Sequence, residues 1–424
     1  YLPLSKDHLS SYPTLREVLM PGGRLVGEGE VLFQRDLGRT FGRLAEVERA
    51  HSHEGREKAI RAARDYFYRG DIAQEMAEFC QSNGGLLTYE DLVEYSVKLE
   101  PPERGEYKGF TVYTCGPWCQ GPSLIEVLNI LEEYDVGGMG HNSADYVHVV
   151  AEAVKLAFAD RHYYFGDPEF VPVPMAGLLS KDYAKERRNA LDLKRAWPEI
   201  PEPGDPFRYQ SGPRPDFELA RRPEPKEGPE PLDTSYACVV DRWGNAFSAT
   251  PSDGYSTPFV PGLGLSVSPR GSQSWLEPDH PSCVAPWKRP RLTPNPAMIL
   301  KDGRPFMVFG TPGADVQVQS MAQLLLNIVE FGMDPQQAVE APRFASYSYP
   351  ASFWPHNYRP GLLCVEPGIG QEVSEGLTVR GHRVEGCEER DYLAGGLCVI
   401  LVDQERGTLA GGADYRRECY AIGR

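Results

Sequence analysis

The sequence predicts an α+β protein in which sheets are layered and covered by helices. Three observations carry this. Short β-prone runs such as "SYACVVD", "NAFSAT" and "RPFMVFG" recur in the second half. Long stretches with apolar residues at helical spacing, above all "SADYVHVVAEAVKLAFADRHYYFGDP", lie before and between them. Strands followed by helices repeat, but without strict βαβ alternation.

Residues 56–100 read as helical text: "REKAIRAARDYFYRGDIAQEMAEFCQSNGG" stops at Gly84-Gly85, a helix-ending pair. "LTYEDLVEY" follows, with Thr88 three residues ahead of Asp91, close to a capping box. "GFTVYTC" (109–115) alternates as a strand does. In the long helix, Val147, Val150, Val154, Ala157 and Phe158 share one face, and the run ends before Gly166. His148 and Glu152 lie one turn apart on it. They make two-thirds of a metal arrangement, but no third ligand is near in sequence, so a helix-surface pair and no metal is the expectation.

Residues 196–233 hold ten prolines in thirty-eight positions, with many charges and few aliphatics. That composition forbids helix and disfavours a sheet interior, which predicts an exposed, mobile linker. It is either a domain linker or a processing loop. At Thr234 the text changes to what reads as a buried hairpin, its two strands joined by "RWGN", where Gly-Asn suits a tight turn. Further on come a strand at "RPFMVFG", a turn at "TPGAD" and a helix in "VQVQSMAQLLLNIVEFG" ending at Gly332. "DPQQAVEAPRF" starts a helix capped by Asp334 with Pro335 in the first turn, and "GGLCVILVD" reads as the last, central strand.

Composition bounds the partners. At 424 residues the chain supports a large core. A net charge of −16 opposes nucleic acid and anionic membrane surfaces, though not a small molecule in a local pocket. No apolar run approaches the roughly 18 residues of a membrane span, and no signal-peptide pattern opens the chain. The start on Tyr1 rather than Met leads to the expectation that an upstream portion is missing. Nine cysteines form an odd set without disulfide-scaffold spacing, and Cys115 and Cys119 make a CxxxC with no second cluster to complete a metal site. Buried thiols in a reducing, cytoplasmic setting are expected, with periplasm or secretion as the alternative. No cofactor is expected.

Several ordered motifs carry a family resemblance: "NGGLLTYEDLVEY", "AEAVKLAFADRHYYFGDP", "TSYACVVDRWGNAFS", "KRPRLTPNPAMILKDGRPFMVFGTPGAD" and "FGMDPQQAVEAPRF". On these the chain resembles the γ-glutamyltranspeptidase superfamily, over nearly its whole length. The resemblance implies a four-layer αββα sandwich of the N-terminal nucleophile hydrolase type. It also implies a precursor cut into a large and a small chain that stay entwined, and it allows a homodimer of such heterodimers. Here the large-chain portion is 1–233 and the small chain 234–424, with cleavage between Asp233 and Thr234.

The implied nucleophile is Thr234, whose hydroxyl needs an adjacent base; the residue's own α-amine, once free, has a pKa of roughly 8 and can serve. By pattern alone Thr234 is equally a β-prone strand residue. The resemblance further implies that Ser252 hydrogen-bonds the nucleophile, where "PSDG" alone reads as a turn. It places Gly313 and Ala314 on the paired glycines whose N–H groups form the oxyanion hole, where a plain strand-helix turn is the alternative. The alanine keeps its N–H but makes a positive φ harder.

The chain departs from the transpeptidases at the residues that hold glutamate. Leu292 and Thr293 replace a serine pair, Gly254 replaces an asparagine, and Ser272 or Gln273 falls where an acidic amine ligand belongs. A carboxylate-clamping arginine comes from an upstream region absent from this sequence. Losing donors from a polar site costs orders of magnitude in discrimination, so γ-glutamyl transfer is not expected. The substitutions resemble the acylase and amidohydrolase branch. Arg270 suits a small carboxylate-bearing amide by bidentate pairing, or is a structural loop arginine. Trp275, Trp287 and Tyr255 equally suit a pocket for an aromatic or apolar acyl group. The expected function is an autoprocessed amide hydrolase acting on a small-molecule amide. The alternatives are a transpeptidase and an unprocessed scaffold.

Overall fold

A computed structural model describes residues 6–212, 214–215, 218–228, 234–253, 257–387 and 395–423. The described strands are β1 (Glu103–Tyr107), β2 (Phe110–Thr114), β3 (Ala237–Val240), β4 (Ala246–Ala249), β5 (Ala297–Lys301), β6 (Arg304–Gly310), β7 (Phe344–Ser346), β8 (Leu362–Val365), β9 (Arg383–Gly386), β10 (Cys398–Asp403) and β11 (Thr408–Ala413). The chain forms two compact units, residues 1–99 with 253–269, and residues 100–252 with 270–424.

The first unit is helical, with helices at Arg35–Ala50, Arg56–Arg69, Asp71–Ser82 and Tyr89–Glu94. The last starts at the capping box foreseen at Thr88, whose side chain and that of Asp91 each bond the other's backbone N–H. Ile72 and Met76 pack with Val260 and Leu263 from the 253–269 segment, and Thr40 Oγ1 donates to the Leu263 carbonyl at 2.8 Å.

The second unit is built on an antiparallel sheet in the order β1-β2-β5-β6-β10-β11. "GGLCVILVD" therefore supplies β10, a central strand between β6 and β11 as expected, and "TLAGGA" adds β11 at the edge. That strand is mostly exposed and rich in glycine, so it carries no apolar alternation to announce it. Helices Gly121–Leu131, Ala144–Tyr164 and Val316–Val329 share one core with β5, β6 and β10. The hairpin β3–β4 lies against β6. Tyr236, one residue before β3, covers Gly310, where a Cβ would stand 2.2 Å from the ring. Ser248 of β4 donates to the Phe309 carbonyl at 3.5 Å. No residue of the hairpin is fully buried, contrary to expectation. Val239 and Phe247, paired across the strands, are 56% and 62% exposed, and Trp243 at the turn is 74% exposed.

The central helix also departs from its one-faced reading: Tyr146 through Tyr164 are all buried. His148 and Glu152 are thus inside, not on a helix surface, and His382 meets them, so that their three ligand atoms lie within 4.8 Å of one another. His148 Nε2 donates to the Asp192 carbonyl at 2.8 Å, which leaves Nδ1 to accept from His382 Nε2 at 2.8 Å. Burial, then the charge of Lys155, pushes His382 down to about 2, and burial also lowers His148, so both rings are neutral at pH 7. Lys155 sits 2.7 Å from Glu152 and donates to the Trp197 carbonyl at 2.8 Å. Lys155 thus stands as the neighbouring cation for Glu152, although burial lowers its pKa.

The same contacts correct the reading of 196–233 as exposed for its first part, while most described residues of 211–227 are exposed as expected. Trp197 N–H donates to Glu152 Oε2 at 2.9 Å, Gly204 N–H to Asp160 Oδ1 at 3.0 Å, and Ile200, Phe207 and Ala220 are buried. Lys226 pairs with Tyr358 in an isolated bridge. Prolines lower the entropy lost when a chain is laid down without regular structure, so few aliphatic anchors suffice. The cut-point residue Asp233 lies outside the described residues.

Candidate active site

Thr234 leads into β3, and the Ser235 N–H donates to the Pro251 carbonyl at 2.9 Å. That one backbone bond lays the start of one hairpin strand beside the end of the other. As a result Thr234 Oγ1 and Ser252 Oγ are 2.8 Å apart. Arg270, 8% exposed, reaches the same serine twice: Nε donates to its carbonyl at 2.7 Å and Nη2 to its hydroxyl. Its Nη1 faces Gln273 Oε1 at 3.4 Å and Thr293 Oγ1 at 3.5 Å, and Gln273 Nε2 donates to Thr293 Oγ1 at 3.2 Å. The Phe353 ring lies 5.1 Å from the guanidinium. Five residues singled out by sequence, Thr234, Ser252, Arg270, Gln273 and Thr293, thus form one hydrogen-bonded chain. Leu292 is beside it, held by its N–H to the Trp118 carbonyl at 2.9 Å.

Gly313 and Ala314 occupy the turn between β6 and helix Val316–Val329. Both have left-handed backbones, φ 127° and 48°. Among the described residues neither N–H donates to any acceptor, whereas both carbonyls are engaged, Gly313 by the Val316 N–H at 2.9 Å and Ala314 by Gln120 Nε2 at 2.8 Å. Two adjacent donors left open at a helix start suit a developing oxyanion. An alanine in this region carries roughly 1–2 kcal/mol of strain. Ala314→Gly is expected to hold or raise stability, by up to about 1 kcal/mol in urea unfolding, instead of showing the usual glycine loss. A loss beyond about 1 kcal/mol would contradict the left-handed turn.

Sequence reasoning missed what holds that turn. Gln120 Nε2 also donates to the Thr293 carbonyl at 2.6 Å, so one amide ties the "RLTP" segment to the turn. Arg161 in turn donates to Gln120 Oε1 at 2.7 Å and to Asp315 at 2.5 Å, while Ser352 donates its N–H and hydroxyl to Asp315 at 2.7 and 2.6 Å. Burial works against the Asp315 carboxylate, but Arg161, Arg291 and Ser352 together hold its pKa below the usual range. A charged residue beside "TPG" was the one visible signal. Trp275, by contrast, is enclosed, stacked between His280 at 4.1 Å and His356 at 3.8 Å, and Trp287 is 65% exposed. Gly254 and Tyr255 lie outside the described residues.

A family model described as gamma-glutamyltranspeptidase matches residues 1–423. The chain belongs to the gamma-glutamyltranspeptidase family. Among curated members, the glutathione hydrolase proenzyme of Bacillus subtilis (strain 168) is 32% identical over 414 residues, covering 96% of this chain and 64% of that protein. The acylase ACY 1 proenzyme of Pseudomonas sp. (strain SE83) is also 32% identical, covering 97% of this chain and 64% of its own length. The chain thus spans 64% of each of these two relatives. Among solved structures, LmbA2991HD superposes with a TM-score of 0.87 at 34% identity, covering 100% of this chain and 74% of that one. Cephalosporin acylase from Bacillus halodurans follows at 0.79 and 27%, covering 97% and 68%. The α+β fold of the N-terminal nucleophile hydrolases, with its αββα sandwich, is therefore the fold of this gamma-glutamyltranspeptidase family member.

Proposed function

We propose that this family member is an autoprocessed amide hydrolase. In this reading, cleavage between Asp233 and Thr234 frees an α-amine. That amine takes the proton of Thr234 Oγ1 as the oxygen attacks a substrate carbonyl. The carbonyl π pair moves onto oxygen, where the Gly313 and Ala314 N–H groups receive it. Collapse breaks the substrate C–N bond, the α-ammonium returns its proton to the departing amine, and the ester left on Thr234 is hydrolysed by water to the acid and free threonine. The observation that carries the reading is the 2.8 Å contact between Thr234 Oγ1 and Ser252 Oγ at the head of a strand.

The substrate we favour is a small acyl or carboxylate-bearing amide, not a γ-glutamyl compound. Leu292 has no side-chain donor, and Thr293 Oγ1 already accepts from Gln273. The acylases among the relatives support this choice. The test is intact mass spectrometry of the protein, alone and after incubation with acyl, oxamate-type and γ-glutamyl amides. Processing predicts a small chain near 21 kDa, in proportion to 47.2 kDa for 424 residues, beginning with threonine. Acyl adducts should appear on that chain. A lasting full-length species without adducts would favour a scaffold, and adducts from γ-glutamyl amides alone would overturn the substrate assignment.

A further inference from the structure

We infer that Arg270 is a positioning residue that sets the direction of the hydrogen bond between Ser252 and Thr234; this rests on Thr234 being the nucleophile. The 2.8 Å contact between the two hydroxyls is compatible with either one donating. A serine hydroxyl has one hydrogen and two lone pairs, whereas a guanidinium only donates and stays charged throughout the working pH range. Ser252 Oγ accepts from Arg270 Nη2, and Ser252 O accepts from Nε at 2.7 Å, so one cation grips the residue by side chain and backbone. A hydroxyl that accepts from a cation becomes a better donor and a poorer second acceptor. The Ser252 hydrogen is thereby sent to Thr234 Oγ1.

Two consequences follow for the attack. The lone pair of Thr234 that Ser252 donates to is stabilised as charge moves through the oxygen. The proton of Thr234 is left pointing away from Ser252, available to the base. No proton travels along the chain: in the processed protein it leaves Thr234 Oγ1 for the α-amine, during processing it ends on the Thr234 nitrogen as the Asp233 C–N bond breaks, and in both steps Ser252 keeps its own and Arg270 remains a cation. The guanidinium is anchored on its other side by Gln273 Oε1 and Thr293 Oγ1. This assigns Arg270 to the nucleophile, whereas the sequence left it between a substrate carboxylate and a structural place in a loop.

The test uses the full chain and its own cleavage at 233–234, followed by mass spectrometry over a range of pH, with Arg270→Lys, Arg270→Gln, Ser252→Ala and the double variant Arg270→Gln/Ser252→Ala. Arg270→Gln should slow cleavage by about 10²-fold. It should also move the rising limb of the pH–rate profile to higher pH, because removing a cation raises the pKa values of its neighbours. Arg270→Lys, which restores charge without the fork, should recover a substantial part of the rate. The double variant should be no slower than Ser252→Ala, since the arginine acts through the serine. Additive losses, an unmoved pH limb, or a folded Arg270→Lys as slow as Arg270→Gln would overturn the assignment. Thr234→Ala separates the two layers. Wild-type cleavage in that variant would sink the nucleophile reading itself, whereas additive losses beside a dead Thr234→Ala would sink only the role of Arg270.

Discussion

Thr234→Ala is expected to leave the chain whole at 233–234 and to lower turnover of any amide that the wild type cleaves by about 10⁴-fold or more. In the proposed mechanism the residue does two jobs with one oxygen, first on its own peptide bond and then on the substrate, so a single deletion removes both. The fold should barely notice. The side-chain loss is one methyl-bearing hydroxyl and its hydrogen bond to Ser252, about 1 kcal/mol. An unchanged melting curve beside abolished cleavage is the expected pair of results, read by thermal unfolding and a denaturing gel. Thr234→Ser, which keeps the oxygen, should still process. If Thr234→Ala appears as two chains at the wild-type rate, the nucleophile lies elsewhere.

Asp315→Asn is expected to cost about 3–5 kcal/mol in denaturant unfolding and to impair catalysis as well. The carboxylate is 4% exposed and faces two buried guanidiniums. Arg161 bonds it directly, and Arg291 relies on it electrostatically: burial, then the charge of Arg161, pushes Arg291 down to about 9, and Asp315 is the first group to oppose that. Neutralising Asp315 leaves two cations confined together, and it slackens Arg161, which holds Gln120 against the Ala314 carbonyl. An apolar pair, Arg161→Met with Asp315→Leu, should recover much of the stability, because the charges leave together. It should not recover activity, because Gln120 loses its anchor. Recovery of both would show that the turn does not depend on this pair.

The local signals in the sequence were legible because each is complete within a few residues. The capping box at Thr88/Asp91, the Asp334 cap, the turn at "RWGN" and the strand at Arg304–Gly310 all need only near neighbours. The full burial of the central helix was not legible. His148 and Lys155 are satisfied there by the carbonyls of Asp192 and Trp197, some forty residues away, and no periodicity encodes that. Thr234 and Ser252, which the structure brings to 2.8 Å, were readable as motif letters. Gln120, Arg161 and Asp315 were not, since they act by holding main chain from three separate segments.

Ser252 and Arg270 are also the points where the chain leaves the sheet-bearing unit and returns to it, with 253–269 as the excursion between. Because Arg270 grasps both the carbonyl and the hydroxyl of Ser252, the two ends of that detour are fastened together at its base. The Ser252–Thr234 hydroxyl pair is thereby fixed at the base of the detour, while Val260 and Leu263 further along it are anchored in the core of the helical unit.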